Sequence, residues 1–375
     1  MIKRTLVKTI NKSYRPGFIT VIYGPRRVGK TVLLEQLSRK MKKKETLWLN
    51  GDTQEAQESL STTSLTKLSS LVNGKGVIII DEAQRIKNIA ISLKILIDNF
   101  PEKKIIVTGS SSLMLARGIQ ETLTGRTIKF KLYPLSTTEL TSQMENYSKQ
   151  HFLEDQLIFG GYPYLDQLST SSEKINYLKS IVSDYLFRDV LLLKDVSSPE
   201  TLKKLTILLA FQIGSEVSLN ELANNLNIDV KTVKRYLSLL KQSFVIFELS
   251  AFSKNLRKEV AKNKKYYFWD LGVRNAIIDQ FLSLDIRTDT GALWENFLAV
   301  ERLKKHEYSK NQKAYFFWRT YEKAEIDWIE VEGNKISAYE FKWKSKKAKT
   351  PKAFKETYGE EAQTISKENY LDFTT

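Results

Sequence analysis

Gly24-Pro25-Arg26-Arg27-Val28-Gly29-Lys30-Thr31 places two glycines, a lysine and a hydroxyl in the spacing GxxxxGKT. Glycine lets the backbone turn tightly with its N–H groups aimed inward, which makes a concave cradle for anions. A helix starting at Lys30 would add the partial positive charge of its N-terminus. The chemistry that suits this pattern is the binding of a nucleoside triphosphate, ATP above all. Gly24, Pro25, Arg26, Arg27, Val28, Gly29, Lys30, Thr31 and Val32 would surround the phosphates. Lys30 would reach the β- and γ-phosphates, and Thr31 would bind Mg2+.

Three further groups could complete that chemistry. Asp81 and Glu82 end the aliphatic run Val77-Ile78-Ile79-Ile80. Asp81 could hold the magnesium shell, and Glu82 could polarise an attacking water. Lys104-Ile105-Ile106-Val107-Thr108-Gly109-Ser110-Ser111-Ser112 is a second such run, ending in hydroxyls. Thr108 or Ser110 could sense the γ-phosphate, although a hydroxyl-rich loop equally suits a helix cap. Arg126, after Gly125, could reach the γ-phosphate of its own chain or of a neighbouring subunit in a homo-oligomer, or make only a surface contact.

These side chains need a scaffold. Phe18–Tyr23 reads as a strand before the glycine loop, and Val32, Leu33, Leu34, Leu37 and Met41 mark a helix after it. Leu47–Leu49, Val77–Asp81, Lys104–Thr108 and Thr127–Leu132 read as further strands. An amphipathic helix is expected near 113–123. Strands alternating with helices predict a mostly parallel sheet with helical crossovers, as in P-loop NTPases. Sites on such sheets lie at the carboxyl ends of the strands.

GPRRVGKT, IIIDEAQ, TGSSS, LTGR, YPLS and GGYP occur here in that order. In this the chain resembles, from end to end, a large family of prokaryotic AAA-type ATPases that carry a C-terminal domain of unknown function. The resemblance implies ATP binding and hydrolysis. It also implies that Gly160-Gly161-Tyr162-Pro163 separates the ATPase core from the remainder of the chain.

The rest of the chain divides into three by pattern. Thr137–Leu205 is largely helical, and Arg188 is either an exposed residue or a lid arginine reaching the nucleotide. Ser218–Leu226, the turn Asn227-Ile228-Asp229 and Val230–Leu240 read as a helix-turn-helix, with Asp229 capping the second helix. Phe244–Phe252 and Lys265–Trp269 would be the strands of a wing. Lys231, Thr232, Lys234 and Arg235 would then face a DNA major groove, or a protein partner, since winged helices serve both.

Finally, Glu295 on a helix, Asp327 on a strand and Glu340-Phe341-Lys342 on the next resemble the PD-(D/E)xK nuclease superfamily, although Ile326 stands where that motif has proline. The resemblance implies Mg2+ on Asp327 and Glu340, with Lys342 stabilising charge or positioning water. It leaves open whether the domain cuts or only binds. Lys344–Lys355 holds six lysines in twelve residues, either a phosphate-contacting tail or a solvated one.

Composition fits these readings. The 375 residues carry 59 Lys and Arg against 43 Asp and Glu, a formal charge of +16. That balance suits a polyanion such as nucleic acid, or reflects lysine overuse alone. There is no cysteine and only two histidines, which excludes disulfides, thiolate metal sites and histidine clusters. No apolar run approaches the roughly 18 residues of a membrane span, and no signal core follows Met1, so a cytoplasmic protein is expected.

The sequence thus predicts an α/β chain with four parts: a P-loop ATPase domain at 1–135, a helical lid at 136–205, a winged helix at 206–285 and a restriction-endonuclease-like domain with a basic tail at 286–375. The expected function is Mg2+-dependent ATP hydrolysis coupled to action on nucleic acid. The alternatives are a nucleotide-dependent signalling switch whose C-terminal half binds a protein, and a DNA-binding ATPase that does not cleave.

Overall fold

The computed structural model describes residues 2–39, 41–109, 122–142, 149–186, 196, 198–253, 264–320, 322–344 and 349–375. Ser110–Ser112, most of the helix expected near 113–123, Arg188 and part of the lysine-rich tail lie outside them. The chain forms two compact units, residues 1–133 and 134–375.

The first unit is built on five parallel strands: β1 (Ile19–Tyr23), β2 (Thr46–Asn50), β3 (Val77–Asp81), β4 (Lys104–Gly109) and β5 (Thr127–Lys131). Their spatial order is β2-β3-β4-β1-β5. Ile78, Ile79, Ile80, Ile105, Ile106 and Val107 are fully buried, which is why these runs show no polar alternation. Helices α1 (Leu6–Ser13), α2 (Lys30–Ser38), α3 (Gln54–Leu60), α4 (Leu65–Val72) and α5 (Ile89–Asn99) surround the sheet. Leu60, Leu68, Leu93 and Leu96 pack with Ile78, Ile80, Ile105 and Val107 in one core. The result is the α/β architecture of a P-loop nucleotide-binding fold.

The second unit holds helices α6 (Thr137–Thr141), α7 (Lys149–Phe159), α8 (Ser171–Ser180), α9 (Pro199–Phe211), α10 (Leu219–Leu226), α11 (Val230–Gln242), α12 (Leu271–Ile277), α13 (Thr290–Ser309), α14 (Lys352–Tyr358) and α15 (Tyr370–Thr374). Its strands are β6 (Glu216–Val217), β7 (Ile246–Ala251), β8 (Lys264–Phe268), β9 (Ala314–Arg319), β10 (Glu325–Glu332), β11 (Lys335–Phe341) and β12 (Ala362–Ile365). They form one sheet in the order β12-β11-β10-β9-β7-β8-β6. The parallel pairing of β7 with β9, through Ser250 and Phe316, joins the strands expected for the wing to those expected for the nuclease-like region. A side chain on β8 can therefore share a site with side chains on β10.

Helix α13 lies against this sheet. Asn296 fastens it to β8, accepting from Phe268 N at 2.8 Å and donating to Phe268 O at 2.8 Å. Trp294 and Trp328 are among the largest fully buried side chains of the unit. Burying an aromatic side chain contributes about 2–3 kcal/mol.

Candidate functional site

The glycine loop joins the carboxyl end of β1 to α2. Gly29 precedes α2 in the left-handed region, at φ 89°, with no side chain capping the helix. Arg27 is also left-handed, at φ 60°, a conformation that costs a non-glycine residue on the order of 1 kcal/mol and recurs at ligand sites. A Cβ at Gly24 would lie 2.0 Å from Leu132 O, so only glycine fits between β1 and the chain after β5. Arg4, which the sequence reading passed over, is buried and donates to Val28 O and to Tyr133 O, both at 2.7 Å. It props the loop from behind. An arginine two residues before an amphipathic helix carries no local pattern that would have flagged it.

The expected catalytic groups converge on this loop. Thr31 Oγ1 donates to Asp81 Oδ2 at 2.6 Å. Thr108 Oγ1 donates to Asp81 Oδ1 and accepts from Glu82 N at 3.1 Å. Lys30 is buried and donates to Pro25 O at 3.0 Å and Gly24 O at 3.3 Å, with Glu82 Oε1 at 4.0 Å. Glu82 leaves β3 in the left-handed region, φ 50°, and its carboxylate accepts from Gln84 Nε2 at 2.5 Å. The donor set is all oxygen, as magnesium prefers. Helix terminus, buried lysine and left-handed loop together fit a bound nucleotide with its metal.

Arg126 is not brought to this site. It precedes β5, and its carbonyl accepts from Ile19 N at the amino end of β1. The loop leaves the opposite end of that strand, and five residues at about 3.3 Å each separate the two ends. Its guanidinium pairs with Asp98 on α5. The expectation that Arg126 reaches its own chain's γ-phosphate is corrected: parallel pairing puts the start of β5 at the wrong edge.

In the second unit, α10 and α11 are joined by a turn with Asn227 left-handed at φ 51°. Asp229 caps α11, accepting from Thr232 N at 2.8 Å, and that bond holds its carboxyl below the usual range. Thr232 also gives its hydroxyl to Asp229, at 2.8 Å, so it serves the cap. Lys231, Lys234 and Arg235 are exposed, on the face away from buried Val233, Tyr236 and Leu237.

Glu295, Asp327, Glu340 and Lys342 come into one neighbourhood. Asp327 Oδ2 accepts from Phe341 N at 2.7 Å, and Lys342 Nζ donates to Glu340 Oε2 at 2.8 Å. Burial, with the Glu340 charge added to it, pushes the Asp327 carboxyl up to about 6. The structure adds groups that sequence did not single out. Lys265 Nζ contacts Glu295 Oε1 at 2.8 Å and also pairs with Glu325, while Tyr267 Oη donates to Glu295 Oε1 at 2.7 Å. Lys265 and Tyr267 alternate on β8, so a lysine at an inward position of an aromatic strand was the available signal. Among the described residues no group of three or more His, Asp or Glu side chains is arranged to hold a metal ion. The expected magnesium pair has cations beside it already: Lys342 is bonded to Glu340, and Lys265, bonded to Glu295 and Glu325, adds its charge near Asp327.

The first unit, with its parallel sheet and glycine loop, has the architecture of a P-loop fold. The AAA domain family model matches residues 17–141. Two domains of unknown function come after it, DUF8612 over residues 150–284 and DUF4143 over 290–372. The chain is 26% identical over 337 residues to an uncharacterized protein of Mycobacterium tuberculosis, covering 88% of this chain and 72% of that one. An uncharacterized protein of Methanocaldococcus jannaschii is 26% identical over 355 residues, covering 88% and 76%. Among solved structures, a signal transduction ATPase with numerous domains and a tetratricopeptide repeat sensor, from Pyrococcus horikoshii, matches at 12% identity and TM-score 0.32. That match covers 81% of this chain but less than half, 45%, of the other. A Bacteroides Pif1 helicase in complex with ADP-AlF3 and ssDNA matches at 16% identity and TM-score 0.28, covering 49% and 50%. No helix among the described residues is long and apolar enough to cross a membrane.

Proposed function

We propose that this protein is a magnesium-dependent ATPase that couples hydrolysis to action on nucleic acid. The observation that carries the hydrolytic half is the linked set Thr31–Asp81–Thr108–Glu82, assembled at the carboxyl ends of β3 and β4 beside the glycine loop. Magnesium, when bound, neutralises charge developing on the β- and γ-phosphates. Thr31 and Asp81 are the side chains to hold it. Lys30 exchanges the Gly24 and Pro25 carbonyls for phosphate oxygens. Glu82 orients the attacking water, and Gln84 fixes the direction of its carboxylate. Thr108 acts by holding Asp81 and the Glu82 amide in place. Arg126, half exposed at the far edge of the sheet, would serve only a neighbouring copy.

The nucleic-acid half rests on α10 and α11, read as the helix-turn-helix of a winged helix, with Lys231, Lys234 and Arg235 exposed on α11 of a chain carrying +16. Phosphate contacts of this kind release counterions and give salt-dependent affinity. The test is the ATPase rate with and without duplex DNA, magnesium present, at moderate salt. Stimulation that disappears in Lys234→Glu/Arg235→Glu supports the reading. Hydrolysis indifferent to DNA moves it to a switch with a protein partner. Phe211, Leu282 and Ile286, at 65%, 52% and 63% exposure on the second unit, give that alternative its footing.

A further inference from the structure

Lys265 has no part in the nucleotide chemistry, yet it is a charged side chain only 1% exposed. A buried ammonium is costly unless carboxylates and hydrogen bonds surround it. Here they do. Glu295 Oε1 lies at 2.8 Å, Glu325 pairs with it, and Asp327 adds a further negative charge close by. The ring of Phe317 closes another side, with its centroid 5.3 Å from the ammonium. These carboxylates come from α13 and β10, while the lysine comes from β8.

The remaining charges obey the same geometry. Lys342, 42% exposed, pairs with Glu340 at 2.8 Å, and Arg319 lies 3.7 Å from Glu325 and 3.5 Å from Glu216. The cations do not match the carboxylates one for one, and burial raises the proton affinity of the excess. The Glu295 carboxyl is pushed up to about 7 and the Asp327 carboxyl to about 6. Lys265 itself is held charged, since its carboxylate neighbours outweigh its burial. A magnesium ion needs oxygen ligands at about 2.0–2.1 Å in near-octahedral array. An ammonium bonded to Glu295 and Glu325 claims their lone pairs and sets a fixed positive charge beside Asp327, where a divalent cation would compete with it.

We propose that the Lys265 ammonium takes the place of a divalent metal in this carboxylate cluster, so that the second unit carries its own internal cation and does not cleave nucleic acid through a metal-activated water. The inference is independent of whether ATP is hydrolysed.

The experiment is binding of Mn2+ alone to the full chain without nucleotide, read as free Mn2+ by electron paramagnetic resonance, at about pH 8 where the carboxyls are ionised. Wild type should show no site that Asp327→Asn removes. Lys265→Met should gain one, with a dissociation constant of about 10⁻⁴–10⁻³ M, and Lys265→Met/Asp327→Asn should lose it. If Lys265→Met does not fold, Lys265→Met/Glu295→Gln removes the carboxylate left without its partner and takes its place. A wild-type Mn2+ site lost in Asp327→Asn overturns the proposal. So does Mn2+-dependent DNA cleavage by wild type that Asp327→Asn abolishes, or a folded lysine variant that gains no site.

Discussion

Two lysines face carboxylates at strand ends in this molecule, and they are held in opposite ways. Lys30 is bonded to two backbone carbonyls and stands 4.0 Å from Glu82. Those neutral partners are weak competitors for an ammonium, so incoming phosphate oxygens can displace them. Lys265 is bonded to Glu295 and Glu325, with Asp327 adding negative charge nearby. Ionised carboxylates hold an ammonium more firmly than neutral carbonyls do. The same residue type is the proposed phosphate-binding group of the first unit and a counter-ion to carboxylates in the second, and the bonds of its nitrogen differ accordingly: backbone carbonyls in one, carboxylates in the other.

The comparison breaks most directly at Glu82. Glu82→Gln should still bind ATP but turn it over about 10²–10⁴ times more slowly, the usual worth of general-base assistance. Undiminished turnover in a phosphate-release assay removes Glu82 from its role. Next, Lys30→Ala should remove nucleotide binding by calorimetry, and turnover with it, with the melting temperature nearly unchanged. Unchanged affinity would show that Lys30 is not the phosphate group. Lys265→Ala should do the reverse: destabilise the second unit by about 3–5 kcal/mol, the cost of stranding buried carboxylates, and leave ATP affinity alone. A variant as stable as wild type in urea would mean water solvates this cluster.

Two smaller effects sharpen the contrast. Thr108→Val should cost about 1–3 kcal/mol of transition-state stabilisation by unpinning Asp81 and the Glu82 amide, seen in kcat rather than in nucleotide affinity. The last concerns pH. Glu295 and Asp327 keep their protons in the folded chain up to about 7 and about 6, above their ordinary values of 4.5 and 3.8. Their stabilising contribution is therefore present at low pH and lost as pH rises through those values. His306, pushed down to about 4 by burial, contributes in the opposite sense, losing stability as pH falls. Above about pH 6.5 only the carboxyls act, so stability should fall by about 1 kcal/mol towards pH 8. Unfolding followed by tryptophan fluorescence should show this fall, and Glu295→Gln should flatten it.

Which side chains of the first unit would meet at one edge of the sheet was legible in the sequence. GxxxxGKT, IIIDE and the strand ending in Thr108 are local patterns, each a strand with its candidate residues at or after its carboxyl end. A parallel sheet delivers every strand's carboxyl end to the same edge, so reading the strands was enough to bring Lys30, Thr31, Asp81, Glu82 and Thr108 together. The same rule, carried one strand further, excludes Arg126, because it stands before its strand and not after. The capped helix α11 was legible too, since a cap involves residues three apart in sequence.

The second site depends on contacts between strands far apart in sequence. The carboxylates were visible as Glu295, Asp327 and Glu340, but their cation was not. Lys265 lies on β8, and it reaches them because β7 pairs with β9 and makes one sheet of strands that sequence assigned to two domains. Arg4 is the parallel case in the first unit: its partner Tyr133 O is 129 residues away. Sequence spacing encodes contacts within an element and across a regular parallel sheet. A side chain that answers a charge from a distant strand depends on sheet order, and sheet order is settled by the packing of the whole unit.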